Sequence, residues 1–108
     1  MTTPEKALQK NPNVEDITLD TPIKRGTEQL TSVSLRKPMS GELRGVSLAD
    51  LLQMDVLALR KVLPRITIPA LTDHELGQMD PADLVQMATV VTGFLLPKSA
   101  KTDASLVA

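Results

Sequence analysis

The stretch Ile17–Asp55, ITLDTPIKRGTEQLTSVSLRKPMSGELRGVSLADLLQMD, passes from strand patterning to helix patterning and so decides the fold class. Ile17 and Leu19 alternate with Thr18 and Asp20, the period of a half-buried strand. Thr21-Pro22 and Arg25-Gly26 punctuate the chain before Val33 and Leu35 resume the alternation, which Pro38 ends. This reads as a β-hairpin with a long polar connection around Lys24–Glu28. Leu30 falls on the opposite parity from Val33 and Leu35, so a bulge or a late strand start is expected there. A lone hairpin is marginal in water and must lie on the helices that follow.

Those helices announce themselves by their caps. Ser47 and Asp50 have capping-box spacing ahead of Leu48, Leu51 and Leu52. Asp55 can cap a second helix over Val56–Leu63 that Pro64 ends; alternatively Leu48–Leu63 is one continuous helix. Thr72 with Glu75 is another capping box, opening a short helix to about Met79. Asp80-Pro81 then supplies a cap and a first-turn proline, with Asp83 near the positive helix end, for a last helix reaching about Leu96. Arg65–Leu71, with Pro69, reads as an extended crossing segment. The expected fold is α+β and mostly helical, an N-terminal hairpin packed on about four to five short helices. It divides into a flexible tail over 1–15, one domain over 16–97 (hairpin 16–38, helices 40–97) and a flexible tail over 98–108. Ala49–Met54 and Ala82–Met87 echo each other, but two similarly patterned helices do not make a repeat array.

At 108 residues and 42% hydrophobic content, a single modest core is possible. Phe94 is the sole aromatic residue, so aliphatic and Met side chains must fill that core. The chain has no cysteine, which excludes disulfides and thiolate metal sites. A net charge of −1, from 12 basic and 13 acidic residues, lacks the basic excess and stacking aromatics of a nucleic-acid binder. No apolar run approaches membrane-spanning length or a signal peptide.

Catalytic and metal chemistry find little support. His74 is the only histidine and has no second His or Cys to share a zinc ion. Asp73, Glu75 and Asp80 lack the order of a calcium loop and are explained as helix-start acids. No serine lies in a G-x-S-x-G elbow, and Lys24-Arg25-Gly26 lacks phosphate-loop spacing. The chain is expected to be no enzyme and to need no cofactor.

The last helix carries a wide apolar arc. Leu84, Ala88, Val91 and Leu95 form a core stripe, and Met87, Val90 and Phe94 adjoin it. Either the helix is central and buried nearly all round, or Met87, Val90 and Phe94, extended by Met54 and Leu57, form a partner groove or dimer seam.

Several segments, taken in order, carry a resemblance: TLDTPIKRG at Thr18–Gly26, VSLRKPMSGELRGVSLADLLQMD at Val33–Asp55, LPRIT at Leu63–Thr67, DPADLVQM at Asp80–Met87 and GFLLPK at Gly93–Lys98. Together, over roughly Ile17–Leu96, the chain resembles the tail assembly chaperones of Mu-like and related contractile-tailed bacteriophages. The resemblance implies a non-enzymatic protein of the infected bacterial cytoplasm, absent from the finished virion. It implies that the tape measure protein is bound and kept soluble while tail tube subunits polymerise around it. A longer frameshifted form and self-association belong to the same expectation. The competing expectation is a small structural or adaptor protein of the tail, which purified tails would retain.

Overall fold

A computed structural model describes residues 13–97; the two expected tails fall largely outside these residues. β1 (Val14–Arg25) and β2 (Glu28–Arg36) form the antiparallel hairpin. The connection is much tighter than the sequence suggests. Lys24 and Arg25 stay paired with Gln29 and Glu28, leaving only Gly26-Thr27 to turn the chain. Gly26 takes φ of 61°, the positive value at the first turn position that matches the twist of a two-residue hairpin.

The irregularity lies on β1 rather than at Leu30. Pairing runs from Val14–Arg36 to Thr18–Ser32 and resumes at Ile23–Leu30, so Leu19, Asp20, Thr21 and Pro22 bulge opposite Thr31 alone. Pro22 has no N–H to give a ladder, which favours a break at this point. Ile17, Leu19, Val33 and Leu35 are all buried and face the helices, as their alternation requires.

β2 is flanked on its other side by β3 (Thr67–Ile68), which pairs with Leu35 and Ser34 to complete a three-stranded sheet of order β1-β2-β3. The crossing segment therefore contributes a short strand that its sequence did not announce. Buried Thr67 fixes it: its hydroxyl donates to the Leu63 carbonyl (2.8 Å) and accepts from the Leu71 amide (2.9 Å).

A 3-10 turn (Ser40–Leu43) leads to α1 (Leu48–Leu52) and α2 (Val56–Ile66). These are two helices, not one. Met54 has φ of 59°, and the Asp55 carboxylate caps α2 by accepting from the Ala58 amide at 2.9 Å. α2 passes through Pro64 and ends at Ile66 instead of stopping before the proline. The proline removes one ladder bond near the helix end, whereas Leu63 and Ile66 on either side are fully buried. Continued burial of that apolar face outweighs the lost bond.

α3 (Asp73–Gln78) and α4 (Pro81–Leu95) complete the chain. Both start as expected: Thr72 and Glu75 form a reciprocal capping box, and Asp80 accepts from the Ala82 amide ahead of Pro81. α4 lies against β1 and β2, α2 lies against β2 and α3, and α1 joins α4 to α2. The fold is α+β, with the helices layered on one face of the sheet.

The face of α4 that enters the core is Asp83, Met87, Ala88, Val91 and Phe94. Leu84 and Leu95, expected in the main stripe, are only half-buried. Met87 is fully buried and Phe94 is 7% exposed, so these two side chains are core and present no surface to a partner. The reason is rotational. Burial of Asp83 turns the helix so that residues four and eleven positions further on face inward.

Candidate interaction surface

The corner between α1 and α2 is built by caps. Ser47 Oγ accepts from the Asp50 amide at 3.2 Å, the Asp55 amide returns to the Asp50 carbonyl at 2.9 Å, and Asp55 starts α2. In a helix of five residues only one narrow face can reach the core, and Leu51 occupies it at 0% exposure. The remaining apolar side chains stay in water. Leu48, Leu52, Met54, Val56 and Leu57 are between 39% and 68% exposed, all within a ten-residue stretch. Single exposed apolar residues need no explanation, but a cluster of five at one corner is a candidate interaction surface.

Of the sequence-derived partner residues, Met54 and Leu57 lie on this corner. Val90 is half-buried and lines a different groove, beside Glu15–Thr18 of β1. The structure therefore does not bring the five candidates into one surface. Leu48, Leu52 and Val56 belong to the corner as well, although the sequence marks them only as residues of the two helices. Their spacing did not announce this, since Leu48, Leu51 and Leu52 stand at i, i+3 and i+4 on one helical face.

Charged groups brace the scaffold. Arg25 in β1 forms a two-pronged pair with Glu75 of α3, Nε to Oε2 and Nη2 to Oε1, both at 2.8 Å. Glu75 also accepts from the Thr72 amide at 3.0 Å. The Arg25 guanidinium, followed by that amide, holds the Glu75 carboxyl down at about 2. Arg36 forms a similar pair with Glu42, which the Met39 amide also contacts, and Glu42 is likewise held at about 2. Arg60 clamps Asp73 at 2.8 and 2.9 Å, tying α2 to α3.

Asp83 reads in the sequence only as an acid near the positive end of the last helix. It is fully buried, and its oxygens accept from the Asp20 amide at 2.7 Å and the Thr21 amide at 3.1 Å. Gln86, one turn along, donates to the Thr18 carbonyl at 3.4 Å. The first turn of α4 thus satisfies the backbone that the bulge leaves unpaired.

These acids have structural employment rather than catalytic geometry. Among the described residues, no group of three or more His, Asp or Glu side chains could hold a metal ion. No described helix is long and apolar enough to cross a membrane.

Residues 16–96 match the family described as phage tail assembly chaperone proteins, E, or 41 or 14. The chain belongs to the phage tail assembly chaperone family. Tail assembly protein E of Escherichia phage P2 is 52% identical to this chaperone over 83 residues, covering 77% of this chain and 91% of the relative. Tail assembly protein E′ of the same phage is 51% identical over 80 residues, 74% of this chain. The chaperone spans 56% of the length of E′. No solved structure matches it. Membership makes this a non-enzymatic phage protein whose partners are proteins of tail assembly.

Proposed function

We propose that this chaperone binds the tape measure protein in the host cytoplasm, keeps it soluble while the tail tube assembles around it, and is absent from the mature virion. The exposed apolar corner of α1 and α2 carries this reading. An elongated partner with apolar helical stripes needs a surface of Leu, Val and Met side chains that accommodates varied shapes, not a pocket with polar chemistry. Leu48, Leu52, Met54, Val56 and Leu57 supply such a surface beside the Asp50 and Asp55 carboxylates.

Burying two large aliphatic side chains contributes about 3–6 kcal/mol, enough to separate binding from no binding at micromolar concentrations. Leu52→Asp with Leu57→Asp should therefore leave a folded chaperone that no longer holds its partner. The test is co-expression with the tape measure protein of the same phage, followed by fractionation. With the wild-type chaperone the tape measure protein should stay in the supernatant, and with the double variant it should pellet. A folded double variant that protects as well as wild type would remove this corner from the interface. A wild-type chaperone without effect would overturn the tape measure reading itself.

A further inference from the structure

A groove of about 220 Å³ runs between the bulged part of β1 and α3, apart from the α1–α2 corner. Thr21, Ile23 and Lys24 line one wall; His74, Met79 and Asp80 line the other. Bonds across the groove pin both of its ends. At one end the Thr21 hydroxyl donates to Asp80 Oδ2 at 2.7 Å. At the other the Arg25 guanidinium grips both oxygens of Glu75 at 2.8 Å. Between these braces the walls stand apart, and Ile23 and Met79 are only half-buried. The bulge is not free to relax across the gap, because Asp83 of α4 holds the Asp20 and Thr21 amides from the core side.

The acids around the groove are already engaged. Glu75 accepts from Arg25 and from the Thr72 amide, and Asp80 accepts from Thr21 and from the Ala82 amide. Asp73, next to His74, is held by Arg60. Lys24 and His74 are not engaged in this way. Among the described residues, neither the Lys24 ammonium nor the His74 ring lies within ion-pair distance of a carboxylate. Each directly precedes a member of the Arg25–Glu75 pair, so both stand at that end of the groove. The groove has an apolar middle and, at one end, donors without an acceptor.

We infer that this groove docks an acidic segment of a protein partner. An apolar side chain of that segment enters between Ile23 and Met79, and the carboxylate beside it meets Lys24 and His74. Charge complementarity selects this occupant. A basic segment would bring its cation toward Lys24 and would find Glu75 and Asp80 already bonded within the chain. Size selects a side chain over a small organic molecule, since about 220 Å³ lies below the about 300–1,000 Å³ of sites for such molecules. The braces at both ends keep the groove formed before the partner arrives, which spares the cost of ordering it on binding. This inference stands apart from the α1–α2 corner and does not depend on the tape measure reading.

Titration of the isotope-labelled full chain with the peptide acetyl-Gly-Leu-Glu-Gly-amide, followed by nuclear magnetic resonance, tests it. The amide signals of Ile23, Lys24, His74 and Met79 should shift together and saturate, with a dissociation constant of about 1 mM, in keeping with one apolar side chain and one charged contact. The same peptide with Gln in place of Glu should bind at least about fivefold more weakly, because the charge-assisted contact is gone. K24E should abolish the saturable shifts while retaining wild-type circular dichroism. If that reversal disturbs the fold, K24A and H74A replace it and should each weaken binding. L52D/L57D, altered only at the α1–α2 corner, should bind the peptide like wild type. Shifts that do not saturate, shifts centred on the α1–α2 corner, equal binding of the Glu and Gln peptides, or a folded K24E or K24A that binds like wild type would each overturn the inference.

Discussion

Asp83 sits 62 and 63 residues from the two amides it serves, at Thr21 and Asp20. Replacing it with Ala removes both acceptors from a buried position and leaves two N–H groups without partners. The expected cost is about 1–3 kcal/mol in the unfolding free energy, measured by urea denaturation. Hydrogen exchange should report the same event locally, with the Asp20 and Thr21 amides accelerating more than those of Val33 or Leu35. Unchanged exchange at the bulge would mean that water replaces the carboxylate. Little of this was legible beforehand. In DPADLVQM, Asp83 looks like any acid in a first helical turn, and the bulge that buries it is remote in sequence. Caps differ in this respect, because their donors and acceptors lie within three residues of each other.

At the scale of elements, Thr72→Ala should destabilise the chaperone by about 0.5–2 kcal/mol, since α3 loses the oxygen that accepts from the Glu75 amide. Glu75 adds a dependence on pH. Its folded-state value is lowered to about 2 from an ordinary 4.5, so the stability it contributes is fully present above about pH 4.5. That contribution is lost as pH falls from there toward about 2. Glu75→Gln should lower stability at neutral pH and make the acid limb of the stability profile shallower; an unaltered limb would show that the Arg25 pair contributes nothing. Helix starts at Thr72 and Asp80 were readable from local chemistry alone, and the start at Asp55 was one of two readings that local chemistry allowed. The tight Gly26-Thr27 turn, the passage of α2 through Pro64 and the strand at Thr67–Ile68 were not. The last two depend on packing that only the assembled fold provides: burial of Ile66 at the end of α2, and β2 beside β3.

For the whole molecule, the division between core and surface is the testable content. Leu51→Ala and Met87→Ala should each cost about 2–5 kcal/mol, as both side chains are fully buried. Leu57→Ala should change stability by less than about 0.5 kcal/mol, because that side chain lies mostly in water. Thermal and urea unfolding of the three variants checks both expectations, and a destabilised Leu57→Ala would place the α1–α2 corner inside the core. The α+β class was legible in the change of period between Leu35 and Leu48. The buried side of α4 was not, since Leu84, Met87, Val90, Val91, Phe94 and Leu95 surround much of the helix. Hydrophobicity alone could not choose among them; the buried Asp83 carboxylate does.

Phe94, the one aromatic ring, is enclosed by the core, and the chain contains neither Trp nor Tyr. The chaperone is therefore dark in tryptophan fluorescence and nearly transparent at the wavelengths where most proteins absorb. Any such signal from a complex belongs to the partner, so a partner that carries Trp or Tyr can be followed without a label on either protein. The lone phenyl ring is in turn an optical marker for the free chaperone: its near-ultraviolet circular dichroism should vanish when native packing around α4 is lost.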